Sequence, residues 1–374
     1  MIRIRLTAVM DEGLEIMGVT RTVKEFEEVS RGLDVVGRAM FPARPAGTTP
    51  STRSLLELTE LLEGAPVVAV CESNDMRNVG DHWSAVGRTV QWVERLGRTI
   101  SLYEAASLQD LGKHSPLQGK LVIVGGSGLV GPGRFESCVE SIFRQRPAAV
   151  ALWGIGHNFQ QGVHLDPTTG WRRRVLKDGV TRLWPEWLAK ADVVGVRDWD
   201  AGMPWVPCAS CMLPAFDVLR EREPEREFVV LNHYERGIDT SRPLAAGVEF
   251  EHITNNTEDI FDTLTRLASA KVVVSNSYHA LYWAMLLGRG AVAVAPNSTR
   301  FHGFRWPVSY ASQADWLGAV EHAQPAPEAL GQAREANVEF SRRVLQIGRS
   351  LGLVDPREAI DPAAGARIET LTAR

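Results

Sequence analysis

Hydrophobic positions along this chain follow two rhythms. Seven short stretches, residues 67–70, 121–124, 148–153, 193–196, 228–231, 271–274 and 291–294, are apolar almost without a break. Continuous runs of this length, with no polar alternation, predict strands covered on both faces. Between them lie segments with helical period, residues 82–95, 134–144, 185–190, 213–222, 258–269, 279–287 and 313–322. Strand, helix, strand in repetition predicts parallel sheets joined by right-handed crossovers, an α/β fold. A longer helical pattern runs from 325 to 353, and residues 1–6 and 22–37 read as a strand and a helix. No internal sequence repeat is visible.

At 374 residues the chain exceeds one ordinary core. The run REREPERE at 220–227, charged and broken by proline, makes a natural junction. The expected division is residues 1–222 as one doubly wound domain with an irregular start, 227–325 as a second, and 326–374 as a helix and tail crossing back to the first. Lysine and arginine number 41 against 45 acidic residues, a net charge of −4, which excludes a uniformly basic surface and gives no reason to expect nucleic acid. No apolar stretch has bilayer length, and MIRIRLTAVM lacks the apolar core of a signal peptide, so the expectation is a cytoplasmic protein. Four cysteines fit a reducing compartment. Cys208 and Cys211 form a C-x-x-C, but Cys71 and Cys138 lie far away in apolar contexts, so buried thiols are expected rather than zinc. Neither a metal nor a cofactor is expected.

Ligands of open parallel sheets bind beyond the carboxyl ends of the strands. The segment after 67–70 contains Asn78, Gly80 and Asp81, with Asp81 able to cap a helix or face the crevice. After 121–124 come Gly125, Gly126, Ser127 and Gly128, whose backbone suits either tight packing or an anion. Their spacing is not the dinucleotide fingerprint. His157 and Asn158 follow the next strand, and Arg197-Asp198 the one after, where Arg197 reads as an ion-pair partner or an anion clamp. Ser275, Asn276 and Ser277 precede His279 at a strand-to-helix turn, where the helix dipole is expected to lower the imidazole pKa. Asn297, Ser298 and Arg300 form a second polar loop expected beside it. Trp199, Trp205 and Trp306 fall in loops after strands, as core or as sugar-stacking platforms. Residues 171–182, WRRRVLKDGVTR, read as a solvated loop or as a flap over an anionic acceptor carrying a lipid diphosphate.

Taken in order, NVGD at 78–81, VGGSGLVG at 124–131, GIGH at 154–157, VRD at 196–198 and SNSYHA at 275–280 resemble the polysaccharide pyruvyl transferase family. The likeness covers about residues 65 to 310 and lies in the order of the motifs more than in any one of them. It implies two Rossmann-like domains with parallel sheets facing across a cleft, GT-B-like, with the acceptor on the first domain and the donor on the second. The implied reaction moves pyruvate from phosphoenolpyruvate onto two sugar hydroxyls as a ketal, in cell-surface polysaccharide biosynthesis. His279 is then the proton donor, and Gly125 to Gly128, Arg197, Asn276, Ser277, Asn297, Ser298 and Arg300 bind the donor anion. Asn78, Gly80, Asp81, His157 and Asn158 bind the acceptor, a sugar or a lipid-linked glycan, with peripheral contact at the inner face of the membrane. Some family members carry arginine where this chain has Ser277, so the positive charge is expected from Arg300, Arg305 or Arg197 instead. The alternatives are a GT-B-like glycosyltransferase using a nucleotide-sugar, held in part by residues 252–257, and a non-catalytic sugar-binding relative.

Overall fold

The computed structural model describes residues 53–72, 78–130, 134–158, 184–199, 201–245 and 247–357. The strand and helix expected near the N-terminus and the basic stretch 171–182 lie outside the described residues.

Two parallel sheets of five strands organise the chain. The first contains β1 (Val67–Cys71), β2 (Gly97–Ser101), β3 (Leu121–Gly125), β4 (Ala149–Ile155) and β5 (Val193–Val196), in the order β2-β1-β3-β4-β5. The second contains β6 (Arg226–Asn232), β7 (Glu251–Thr254), β8 (Ala270–Ser275), β9 (Gly290–Val294) and β10 (Ser309–Ala311), in the order β10-β9-β8-β6-β7. Counted from its own first strand, each sheet has the order 2-1-3-4-5. Each is therefore Rossmann-like and doubly wound, with a switch point between its first and third strands. Their carboxyl ends face one another, the GT-B arrangement.

All seven apolar runs are strands. The three strands that carry no such run, β2, β7 and β10, are edge strands. Their residues are only partly covered, with every position of β7 and β10 of intermediate exposure. An edge strand lacks a neighbour on one side, so its sequence need not be apolar throughout.

The helices that frame the site are α1 (Leu55–Leu62), α2 (Val79–Trp83), α3 (Arg134–Arg144), α4 (Ile260–Ala268), α5 (Tyr278–Leu286) and α6 (Ala329–Ser350). The single helix expected at 82–95 is instead three short ones, because Ala85 and Val90 take extended backbone. The break lets the middle piece lie on the sheet, where Gly87 admits Thr99 and Ala69. Helix α5 is buried on all sides, every one of its nine residues included. A helix apolar all round belongs inside a core. It shares one cluster with Cys208, Cys211 and Phe216 from the first half and Leu330 and Ala333 from α6. Helix α6 runs back to the first sheet. Its Asn337 accepts from the Trp153 indole at 2.7 Å, and Ser341 accepts from the Trp92 indole at 2.7 Å. The charged run 220–227 joins the two halves and is tied down at its edges by Arg222–Glu225, Arg226–Glu251 and Lys271–Glu227 pairs.

Candidate functional site

The strand tips meet through backbone and amide contacts. The Val79 amide donates to the Asn255 carbonyl at 3.1 Å, and the Asn255 side chain donates to Asn78 Oδ1 at 3.1 Å. Further along, the Trp199 amide donates to the Gly303 carbonyl at 2.9 Å. Groups from the two sheets thus lie within contact distance of one another.

His279 is the second residue of α5, directly after β8. The small polar residues before it build the turn. Ser275 Oγ donates to the Leu231 carbonyl at 2.7 Å and accepts from the Ser277 amide at 3.0 Å. The imidazole is 7 % exposed. Its Nδ1 stands 4.0 Å from Asp81 Oδ1 of the opposite sheet. A β-carbon on Gly80 would lie 2.6 Å from that Nδ1, so the glycine is what allows the ring to sit there. Nε2 is buried with no partner among the described residues. Burial first, then the Arg197 and Arg300 guanidiniums and His233, hold the imidazole well below its ordinary pKa. It is neutral at pH 7. The direction expected from the helix dipole is reached, but through desolvation and neighbouring cations.

Arg197 extends from the tip of β5 and is 4 % exposed. Its guanidinium lies over the Tyr278 ring at 4.1 Å, and Tyr278 stacks on Phe304 at 4.7 Å. Two glycines clear its path. A β-carbon would meet Nη2 at 2.9 Å from Gly128 and Nε at 2.5 Å from Gly156. Gly154, with φ of +63°, forms a bulge in β4 that sets up this loop. Arg300 sits in the short turn Thr299–His302 with its pKa lowered by burial and then by Arg197, partly offset by Asp81 and Glu72. Arginine side chains keep their charge in proteins. Arg197 Nε and Nη2, Arg300 Nε, Ser298 Oγ and Asn158 Oδ1 are all buried without partners among the described residues. Buried polar atoms are nearly always paired, and a buried unpaired charge is costly. Two such guanidiniums beside a neutral imidazole gather positive charge and unpartnered N–H groups in one place.

Not every expected residue joins this cluster. Gly125 and Gly126 serve packing: their β-carbons would lie 2.3 Å from the Trp153 carbonyl oxygen and 2.1 Å from that of Ser84. The Gly126 amide is already engaged, donating to the Trp153 carbonyl at 3.2 Å. The amides of Ser127 and Gly128 have no acceptor among the described residues, and Gly128 touches Arg197. His157 is fully buried against Trp184, and its amide donates to Asp198 Oδ2 at 2.9 Å. Asn276 uses both ends of its amide to hold the loop after β6, accepting from the His233 amide at 2.7 Å and donating to the Arg236 carbonyl at 2.8 Å. Asn78 donates to Asp81 Oδ2 at 2.6 Å. Asp81 lies within α2 rather than at its cap, because Asn78 takes the cap position. Ser277 is 4 % exposed at the cap of α5, and Asn297 is half-buried. Arg305 does not reach the cluster's aromatic stack; it lies over Trp199 at 4.2 Å and Trp205 at 4.8 Å. Cys208 and Cys211 are fully buried free thiols, and burial pushes Cys211 up to about 12.

Two participants, His233 and Tyr278, are absent from the sequence expectation as site residues, and Asp198 enters it only as the neighbour of Arg197. His233, at the tip of β6, is driven down to about 4 by burial and then by Arg300. Asp198 accepts from the His157 amide, and a β-carbon on Gly303 would lie 2.3 Å from its Oδ1, so it fixes the seam beside Arg197. Tyr278 supplies the ring under Arg197. Looking past every strand, β6 included, leads to His233. Nothing in the sequence marks the stacking role of Tyr278.

No known family profile matches the chain, and no curated protein matches it. Among solved structures, two of the wall teichoic acid polymerase TagF, from soaks with CDPG of 30 and 15 minutes, are similar at 10 % identity and a TM-score of 0.30. The overlap covers 89 % of this chain and 99 % of theirs. A likeness at that TM-score transfers neither site nor activity.

Proposed function

We propose that this protein is a transferase whose donor is a small anion with two acidic groups, held between Arg197 and Arg300 and acted on through His279. The donor we assign is phosphoenolpyruvate and the acceptor a sugar with two reactive hydroxyls. One observation carries this reading. Partnerless buried donors from both sheets, Arg197 and Arg300, surround an imidazole that is neutral at pH 7. A phosphate and a carboxylate on one three-carbon frame match two guanidiniums, and the burial of Arg197, His279 and Ser298 favours a small donor over a nucleotide.

The steps balance with one imidazole. His279 takes the proton of the first sugar hydroxyl as its oxygen bonds to the substituted enol carbon. The same proton then passes to the methylene carbon, which becomes a methyl group. The second hydroxyl displaces phosphate from that carbon and closes the ketal, its proton leaving with the phosphate as hydrogen phosphate. Donor charge offsets Arg197 and Arg300, which permits the transient imidazolium that an empty cluster disfavours. Incubation with phosphoenolpyruvate and a broad panel of sugar acceptors is expected to release phosphate. No release across the panel would overturn the reading.

A second reading, a glycosyltransferase with a nucleotide-sugar donor, is favoured by two doubly wound sheets of one strand order meeting tip to tip. It requires nucleotide-sugars to raise the melting temperature while phosphoenolpyruvate does not.

A further inference from the structure

A cavity of about 440 Å³ opens between α6 and the loops that follow β5 and β9. Its volume is that of a small-ligand site. Its aromatic and polar lining comes from Trp205, Arg305, Gln332, Glu335, Glu339 and Arg343. The last four follow one face of α6 at helical spacing. Arg305 is held flat by Trp199 and Trp205, and its N–H groups have no acceptor among the described residues. Gln332 accepts from the Trp306 indole at 2.9 Å, which leaves its amide N–H groups as donors. Arg343 pairs with Glu339.

This lining selects by chemistry. Two guanidiniums balance two carboxylates, so no net charge favours an anion or a cation. An apolar ligand would strip water from charged groups and return nothing. A ring of hydroxyls, each able to donate and accept, can use arginine, amide and carboxylate groups together. The cavity also adjoins the reaction centre. Trp205 donates to the Arg197 carbonyl at 3.1 Å, and Phe304, next to Arg305, stacks on Tyr278.

We infer that this cavity binds a neutral sugar unit of an extended glycan, separate from the unit that reacts at His279. The sequence left Trp199 and Trp205 as core or as sugar-stacking platforms. Arg305 lies against both while Trp199 stays 39 % exposed, and where Arg305 and Trp205 line the cavity recognition is by hydrogen bonds to the guanidinium. The inference shares with the proposed function only its glycan acceptor.

The test titrates the full chain with neutral trisaccharides of glucose, galactose, mannose and N-acetylglucosamine, read by tryptophan fluorescence and ligand-observed NMR. At least one is expected to bind. Glu335→Gln and Arg343→Ala, both at exposed helix positions, should each weaken it roughly tenfold. His279→Ala and added phosphoenolpyruvate should leave it unchanged. The inference is overturned if no trisaccharide binds, if these two variants bind as well as the parent at an unchanged melting temperature, or if only acidic trisaccharides bind. Trisaccharide binding without phosphate release removes the proposed donor and keeps this site. Phosphate release without trisaccharide binding removes this site alone.

Discussion

The two sheets share one strand order yet contribute different chemistry to the seam between them. The first sends Arg197 and Asp81 and a set of glycines. The second sends His279, His233 and Arg300. Equal topology puts the switch-point tips in equal places, but nothing in topology chooses the side chains there. The glycines nearest the site make sense beside residues of the second half or of neighbouring loops. Gly80 admits His279, and Gly128 and Gly156 admit Arg197. They resemble ligand-cradling glycines in sequence, and in the fold they clear space for protein side chains.

If the comparison holds, the largest effect comes from the second sheet's imidazole. His279→Ala is expected to lower turnover by about 10²–10⁴-fold with the fold retained, measured by phosphate release and melting temperature. Retained turnover would take the proton transfer away from His279. Next comes the first sheet's glycine. Gly80→Ala should displace the ring, with a loss of about 10²-fold in turnover. A matching loss would show that the two tips act as one site.

The cations sharpen the contrast further. Arg197→Ala and Arg300→Ala, one from each sheet, should each weaken phosphoenolpyruvate binding by about tenfold to a hundredfold in calorimetry. In a double-mutant cycle, a coupling of about 0.5–3 kcal/mol would mark one shared anion, and strict additivity would mark two separate ones. The smallest effect is on stability against pH. His279 and His233 both have folded pKa values below the ordinary 6.5, His233 at about 4. Between those values the unfolded chain takes up protons that the folded chain refuses. Stability is therefore full above about pH 6.5 and falls as pH drops toward 4. His233→Gln should flatten that acid slope in melting curves. A slope unchanged in this variant would leave it to His279 and to groups other than His233.

Much of the scaffold was readable because burial on both faces leaves a plain mark. Val193–Val196 and Arg134–Arg144 match their runs residue for residue. Strands β2, β7 and β10 were not readable, since an edge strand half-covered by neighbours needs no continuous apolar run. The strand-tip rule brought His279, Arg197 and Arg300 forward, because position after a strand is a local property. It equally brought forward His157 and Asn276, whose engagement with Asp198 and with the loop at His233 is not local.

The sequence by itself determined the seven strands with continuous apolar runs, their parallel sense and the polar tips that follow them, because each depends on residues close together in the chain. Only the tertiary structure decided which tips meet. It set Asp81 4.0 Å from His279, laid Arg197 over Tyr278 and drew Arg305 away onto two tryptophans. The reason is physical: burial and the field of other charges fix the protonation and reach of each group, and both come from partners distant in sequence.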